Sequence, residues 1–120
     1  MKLFYTCLYA ASLLGLANSA AVAQAPAWSR VARIGGAGPD AGEAIAVDAT
    51  GNTYVAGRFN SASITIGSTT LNNAGAGTTN DMFVAKYSPA GAVLWATRLG
   101  GSGDDVANGL TVDGAGNVFV

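Results

Sequence analysis

The sequence has no histidine, and its one cysteine, Cys7, lies close to the N-terminus. Without histidine the chain lacks the side chain most often used for proton transfer near neutral pH, which is also the commonest metal ligand. Charged residues make up only 11% of the chain, and its six Lys and Arg are scattered, so there is no basic patch of the kind a nucleic acid would need. Beyond the first 23 residues no stretch repeats apolar residues at a period of 3.6 over two turns, so helix is expected to be nearly absent. What is abundant is glycine, 17 residues of it, in a chain whose residues are 50% hydrophobic. That balance is too apolar for a disordered tail and too punctuated for a helical bundle.

Residues 1–23 read as a signal peptide. Lys2 supplies a short basic start and residues 3–17 an apolar run, and Ala21-Val22-Ala23 before Gln24 has the small-x-small form of a cleavage site. The apolar run is short for a membrane span and has no basic flank after it. Phe4-Tyr5-Thr6 is not the small-residue context of a lipoprotein site, so Cys7 is read as a hydrophobe of the leader. The expected mature protein is exported, extracellular or at the cell surface, with no membrane span after cleavage. It lacks cysteine, so it must be held by core burial without disulfides.

Residues 24–120 read as short strands separated by turns. A leading strand is expected at 24–34, and residues 44–48 (AIAVD) place Ile45 and Val47 on one face at period two. Asp48-Ala49-Thr50-Gly51-Asn52 is a tight turn in which Gly51 can take a positive φ and the Asp48 carboxylate can accept backbone N–H groups. Residues 52–59 return as a strand, giving a hairpin. A subsidiary hairpin is expected across Gly67-Ser68 and a loop over 72–79. Residues 81–87 and 92–99 form two further strands around Ser88-Pro89-Ala90-Gly91.

Residues 35–55 then return as residues 100–120. Gly35 and Gly100, Asp48 and Asp113, Gly51 and Gly116, Asn52 and Asn117, and Val55 and Val120 are each 65 apart. Over 33–55 and 98–120, 10 of 23 aligned positions are identical, mostly turn residues and strand apolars, so a structural unit is what recurs. Strands 52–59 and 81–87 carry apolar groups on both faces, which implies sheets covered on both sides. Four main strands and an extra hairpin in 65 residues suit one propeller blade. The fold class is therefore all-β, with antiparallel β-propeller-type blades. Residues 35–99 form the first blade repeat and residues 100–120 the start of a second, so about one and a half blades are present. Because a propeller closes with about 4–8 blades, the chain is expected to be the N-terminal piece of a longer protein.

Gly100-Gly101-Ser102-Gly103-Asp104-Asp105, followed by residues 110–120 (LTVDGAGNVFV), resembles the bacterial β-propeller repeat family SBBP. Residues 81–87 (DMFVAKY) and 93–96 (VLWA) resemble the second half of the same repeat. The resemblance implies an exported bacterial protein with several blades, often ending in a sorting domain. It carries over no catalytic residues.

Three local motifs compete with this structural account. Gly36-x-Gly38-x-x-Ala41 fits a dinucleotide fingerprint on paper, but Pro39 and Gly42 precede a strand where a helix is required, and no acidic residue stands about 20 positions on. Asp48, Asp104, Asp105 and Asp113 are candidate calcium ligands, but no bidentate glutamate follows either turn and turn capping accounts for both copies. Trp28 and Trp95 could stack on a sugar, although matching positions in a repeated strand favour packing between blades. No serine stands with a recognisable base, so no catalytic constellation is present. The expected function is a non-catalytic binding or structural module that takes an extracellular protein or glycan partner and uses no cofactor. The rival reading is part of a propeller glycosidase or lyase whose site lies in other blades.

Overall fold

The computed structural model describes residues 31–120. The expected signal peptide, Cys7 and Trp28 lie outside the described residues. Eight strands follow in chain order: β1 Asp40–Val47, β2 Thr53–Phe59, β3 Ser63–Ile66, β4 Thr69–Asn72, β5 Asp81–Tyr87, β6 Val93–Leu99, β7 Thr111–Val112 and β8 Val118–Phe119. Strands β1-β2-β5-β6 form one four-stranded antiparallel sheet, while β3-β4 and β7-β8 are separate two-stranded ladders. The described residues contain no helix, in keeping with the all-β expectation.

The two inner strands explain why a clean alternation of apolar and polar residues is missing. Val55, Gly57 and Phe59 of β2 share one face with Asp81, Phe83, Ala85 and Tyr87 of β5, because directly opposed residues point to the same side. Tyr54, Ala56 and Arg58 share the other face with Met82, Val84 and Lys86. On the first face Phe59, Phe83, Ala85 and Tyr87 pack with Ile64, Ile66 and Leu71 of the β3-β4 hairpin. A two-stranded ladder alone is marginal in water. Burying an aliphatic side chain contributes on the order of 1.5–3 kcal/mol, so these three side chains hold the hairpin down more than its own ladder does. On the second face Ala56 and Val84 pack with Ala107, and Leu110 and Val118 close in from the second repeat. The sheet is thus covered by its own hairpin on one side and by the next repeat on the other.

Strand β1 begins at Asp40, four residues earlier than the period-two pattern at 44–48 indicates. The register shifts between Gly42 and Ala44, leaving Glu43 as a bulge residue, and Gly42 pairs with Gly57. A bulge and a pair of glycines erase the alternation that would mark a strand. Glycine at 57 has a steric cause, because a Cβ there would sit 2.2 Å from the Ala41 carbonyl oxygen and 2.7 Å from the Phe83 ring, whereas a Cβ at Gly42 would meet nothing within 4 Å. The leading strand expected at 24–34 lies largely outside the described residues. Its described part, residues 31–34, joins no ladder, though Ile34 packs against the first-face core.

Candidate functional site

The first candidate ligands, Asp48 and Asp113, sit in two turns of the same geometry. In the first, Asp48 N–H donates to the Asn52 carbonyl (3.0 Å) and Gly51 N–H to the Asp48 carbonyl (2.9 Å). In the second, Asp113 N–H donates to Asn117 (3.0 Å) and Gly116 N–H to Asp113 (3.0 Å). Gly51 and Gly116 hold φ of 83° and 85°, a left-handed conformation that costs glycine nothing. In each turn the aspartate Oδ1 accepts two backbone N–H groups and Oδ2 accepts the asparagine side-chain amide. Asp48 also accepts the Thr50 hydroxyl (2.7 Å) and the Tyr54 hydroxyl (3.2 Å).

These donors stabilise the ionised form. The Asn52 amide, then the Thr50 hydroxyl and the turn N–H groups, hold Asp48 far below the usual carboxylate range. The Asn117 amide and the turn N–H groups lower Asp113 in the same way. The two turns face each other across a cleft of about 250 Å3 lined by Asp48, Thr50, Asn52, Lys86 and Asp113. Lys86 Nζ lies 3.7 Å from Asp48 Oδ2 and 4.8 Å from the centroid of the Tyr54 ring. The Tyr54 side chain, and after it the Asp48 charge, raise its pKa above the ordinary lysine value. Trp95 meets the Tyr54 ring edge-on at 6.1 Å and remains 37% exposed, on the face turned toward the second repeat.

Asp104 and Asp105 do not join this cleft. Asp104 Oδ1 accepts the backbone N–H and side-chain amide of Asn80, both at 2.8 Å, and these bonds lower its pKa. Asp105 Oδ2 accepts Gly101 N–H (2.8 Å), and its own N–H donates to the Asn80 carbonyl (2.7 Å). This pair ties the opening of the second repeat to the loop before β5. Among the described residues no three acidic, histidine or cysteine side chains converge as a metal site would need. The oxygens of Asp113 accept donors of its own turn, and those of Asp48 accept turn donors together with the Tyr54 hydroxyl.

The glycine-rich loop has its own anchor. Asp40 Oδ2 accepts Gly36 N–H (2.7 Å) and the Ser61 hydroxyl (2.8 Å), while Oδ1 accepts Asn60 and Ser61 N–H. Burial opposes ionisation of Asp40, but these bonds outweigh it and its pKa is lowered. A Cβ on Gly36 would come within 2.5 Å of the Ser63 carbonyl oxygen, so glycine is needed here for close approach of two backbones. The loop leads into a strand, which leaves the dinucleotide fingerprint without its helix.

One arrangement has no signal in the local sequence. Asp81 is fully buried, and its Oδ2 accepts Ala74 N–H (2.7 Å) and a guanidinium N–H of Arg98 (2.8 Å). Arg98 also donates to the Gly100 carbonyl (3.0 Å), and Asp81 Oδ1 meets no donor among the described residues. Beside it Asn73 donates to the Phe59 and Thr79 carbonyls and accepts Gly75 and Gly77 N–H, folding residues 73–79 over the sheet end. The remaining strand cation, Arg58, pairs with the bulge residue Glu43 at 3.3 Å.

A four-stranded antiparallel sheet, stacked face to face with the start of the same unit and punctuated by the same turn, defines a β-propeller repeat protein. Residues 94–120 match the beta-propeller repeat family SBBP. The matched segment runs from β6 through the glycine loop to β8, spanning the join between two units. The chain is also 32% identical over 83 residues to an uncharacterized WD repeat-containing protein of Acanthamoeba polyphaga mimivirus. That alignment covers 63% of this chain and 6% of the relative, so the chain spans a small fraction of the relative's length. No solved structure matches the chain.

Proposed function

We propose that this β-propeller repeat protein is exported and acts outside the cell, or at its surface, as a non-catalytic binding or structural module for a protein or glycan. The observation that carries the reading is the pair of turns at the cleft. Their carboxylates are pulled down and the cleft lysine is pushed up by partners that serve the fold. A proton-transfer catalyst works best with a pKa near the working pH, and these groups are moved away from it. Export rests on the Ala21-Val22-Ala23 pattern before Gln24.

Expression in a bacterial host, followed by N-terminal sequencing of the secreted product, tests export. A mature terminus at Gln24 supports it, and retention of the intact chain in the cytoplasm would overturn it. Glycan and extracellular-protein arrays probed with the chain, beside assays for glycosidase and lyase turnover, test the role. Turnover abolished by Lys86→Met or Asp113→Asn would replace the binding module with an enzyme.

A further inference from the structure

One Asn-Gly pair occurs in the sequence, at Asn108-Gly109, in the segment that leads into β7. Both residues are exposed, and neither the Asn108 side chain nor the Gly109 N–H makes a hydrogen bond among the described residues. The other described asparagines are held in one of two ways. The side-chain amides of Asn52, Asn73, Asn80 and Asn117 donate hydrogen bonds. Asn60 and Asn72 lack such a bond, but the backbone N–H that follows each is taken. Ser61 N–H donates to Asp40 Oδ1 (3.2 Å) and Asn73 N–H to the Ala62 carbonyl (3.0 Å). The first repeat shows the same position on a paired strand. Shifted by 65 residues, Asn108 and Gly109 correspond to Glu43 and Ala44. There the ladder steps from Gly42 to Ala44 and leaves Glu43 out as an exposed bulge residue. Exposure at 108 therefore belongs to the bulge position itself.

We propose that Asn108 is a site of spontaneous modification, where the side-chain amide is lost through attack by the Gly109 backbone nitrogen. Glycine has no Cβ to crowd the attack, and its backbone freedom lets the nitrogen reach Asn108 Cγ. The Gly109 N–H gives up its proton to base, and the nitrogen bonds to Cγ. The Cγ–Nδ2 bond then breaks, and the amide nitrogen takes up a proton and leaves as ammonia. Water opens the resulting succinimide at either carbonyl, so aspartate or isoaspartate stands at 108. Aspartate restores the carboxylate that the first repeat carries as Glu43. Isoaspartate adds a methylene to the main chain between Ala107 and Leu110, which pack in one cluster with Ala56 and Val84. A close-packed interior feels a change of that size, so isoaspartate loosens the second repeat from the first. Asp113-Gly114 is the internal contrast, because the Asp113 carboxylate accepts three donors of its turn and an ionised carboxylate resists a nucleophile.

The full-length chain, aged in mildly alkaline buffer with and without urea and mapped by proteolysis and mass spectrometry, tests this. In the folded chain the acid form should accumulate first at 108, and protein isoaspartate methyltransferase should label that peptide. Urea should change the rate at 108 little and raise the rates at Asn60 and Asn72, whose following N–H groups it frees. Gly109→Ala should slow conversion about tenfold or more, a barrier difference of roughly 1.4 kcal/mol. That variant keeps the fold, since a Cβ at Gly109 meets nothing within 4 Å and the first repeat holds Ala44 there. A folded chain that keeps its Asn108 amide until urea is added overturns the proposal, as does undiminished conversion in Gly109→Ala. Amide hydrogen exchange reads the consequence. The isoaspartate fraction should lose protection in β7 and β8, whereas Asn108→Asp, which adds charge without lengthening the chain, should keep it. Equal protection in the two, or equal loss, overturns the loosening.

Discussion

Replacing Arg98 by alanine tests whether the buried pair at the sheet end holds the first repeat together. The Asp81 carboxylate is fully buried and has two donors, Ala74 N–H at 2.7 Å and the Arg98 guanidinium at 2.8 Å. Without Arg98, a buried negative charge keeps one backbone N–H. Breaking a buried pair from one side costs about 3–5 kcal/mol, because the remaining charge is left uncompensated. The Arg98 side chain is 33% exposed, so water can enter where the guanidinium stood and part of that cost is screened. The expected loss is about 2–3 kcal/mol, a large share of the roughly 5–15 kcal/mol typical of a domain. For a unit of this size that lowers the melting temperature by about 10–20 °C.

Urea unfolding followed by tryptophan fluorescence reads the loss directly, since Trp95 lies three residues from Arg98 on the same strand. With a urea slope of about 1–3 kcal/mol/M, the midpoint should fall by roughly 1 M or more. A change below about 0.5 kcal/mol would mean the pair behaves like a solvent-exposed one, and the reasoning would fail. The double substitution Asp81→Leu with Arg98→Met separates charge from packing. Replacing both partners by apolar groups should recover most of the stability, because no charge remains buried. Equal loss in the single and double variants would place the effect in packing around Phe59, which opposes Asp81 in the ladder.

Gly57→Ala should destabilise the chain by about 1–3 kcal/mol or more, since the new methyl meets a backbone carbonyl that cannot swing away; loss of amide protection in β1 checks it. Gly51→Ala should cost about 1–2 kcal/mol at a φ of 83°, and Gly51→Asn clearly less, because asparagine tolerates the left-handed region; equal melting temperatures for the two variants would refute this. Asp40, Asp48, Asp104 and Asp113 all have folded pKa values below the 3.8 of the unfolded state. Between the folded and unfolded values the unfolded chain binds more protons, so acid favours unfolding. The stabilisation they give is present above about pH 4 and is lost as pH falls through the folded values. Thermal melts from pH 6 down to about pH 2 should show a flat region and then a steady fall, and a melting temperature that rises on acidification would contradict it.

How much of this is legible in the sequence depends on how local each interaction is. β5 coincides with the strand expected at 81–87, because its residues, DMFVAKY, have a strand's composition and are bounded by turns. The hairpin across Gly67-Ser68 is equally visible, with Gly67 at a φ of 62°. The capping of Asp48 and Asp113 could be read from the spacing of Asp, Gly and Asn, since every partner lies within six residues. The first four residues of β1 are hidden by the bulge at Glu43 and by the pairing of Gly42 with Gly57, which breaks the apolar alternation. The Asp81–Arg98 pair is hidden for a different reason. It joins residues 17 apart on neighbouring strands, and only the β5-β6 register brings them together. Repeat comparison does not expose it either, because the unit's second half occurs once among residues 24–120.

A third turn decides what the recurring aspartate is for. Ser88 N–H donates to Ala92, and Gly91 N–H donates to the Ser88 carbonyl, with Gly91 at a φ of 89°. The Ser88 hydroxyl accepts Ala92 N–H at 3.1 Å, the bond that Asp48 Oδ1 makes to Asn52 N–H at 2.9 Å. A neutral hydroxyl therefore closes the same turn, so negative charge is not what the turn geometry requires. What the carboxylate adds is a second oxygen, which reaches out of the turn to the Asn52 amide, the Tyr54 hydroxyl and the Lys86 ammonium. In the second repeat the equivalent oxygen holds the Asn117 amide, and phenylalanine stands where Tyr54 supplies its hydroxyl. The part of the motif that recurs is the part that shapes the hairpin. The part that reaches the cleft changes from one unit to the next.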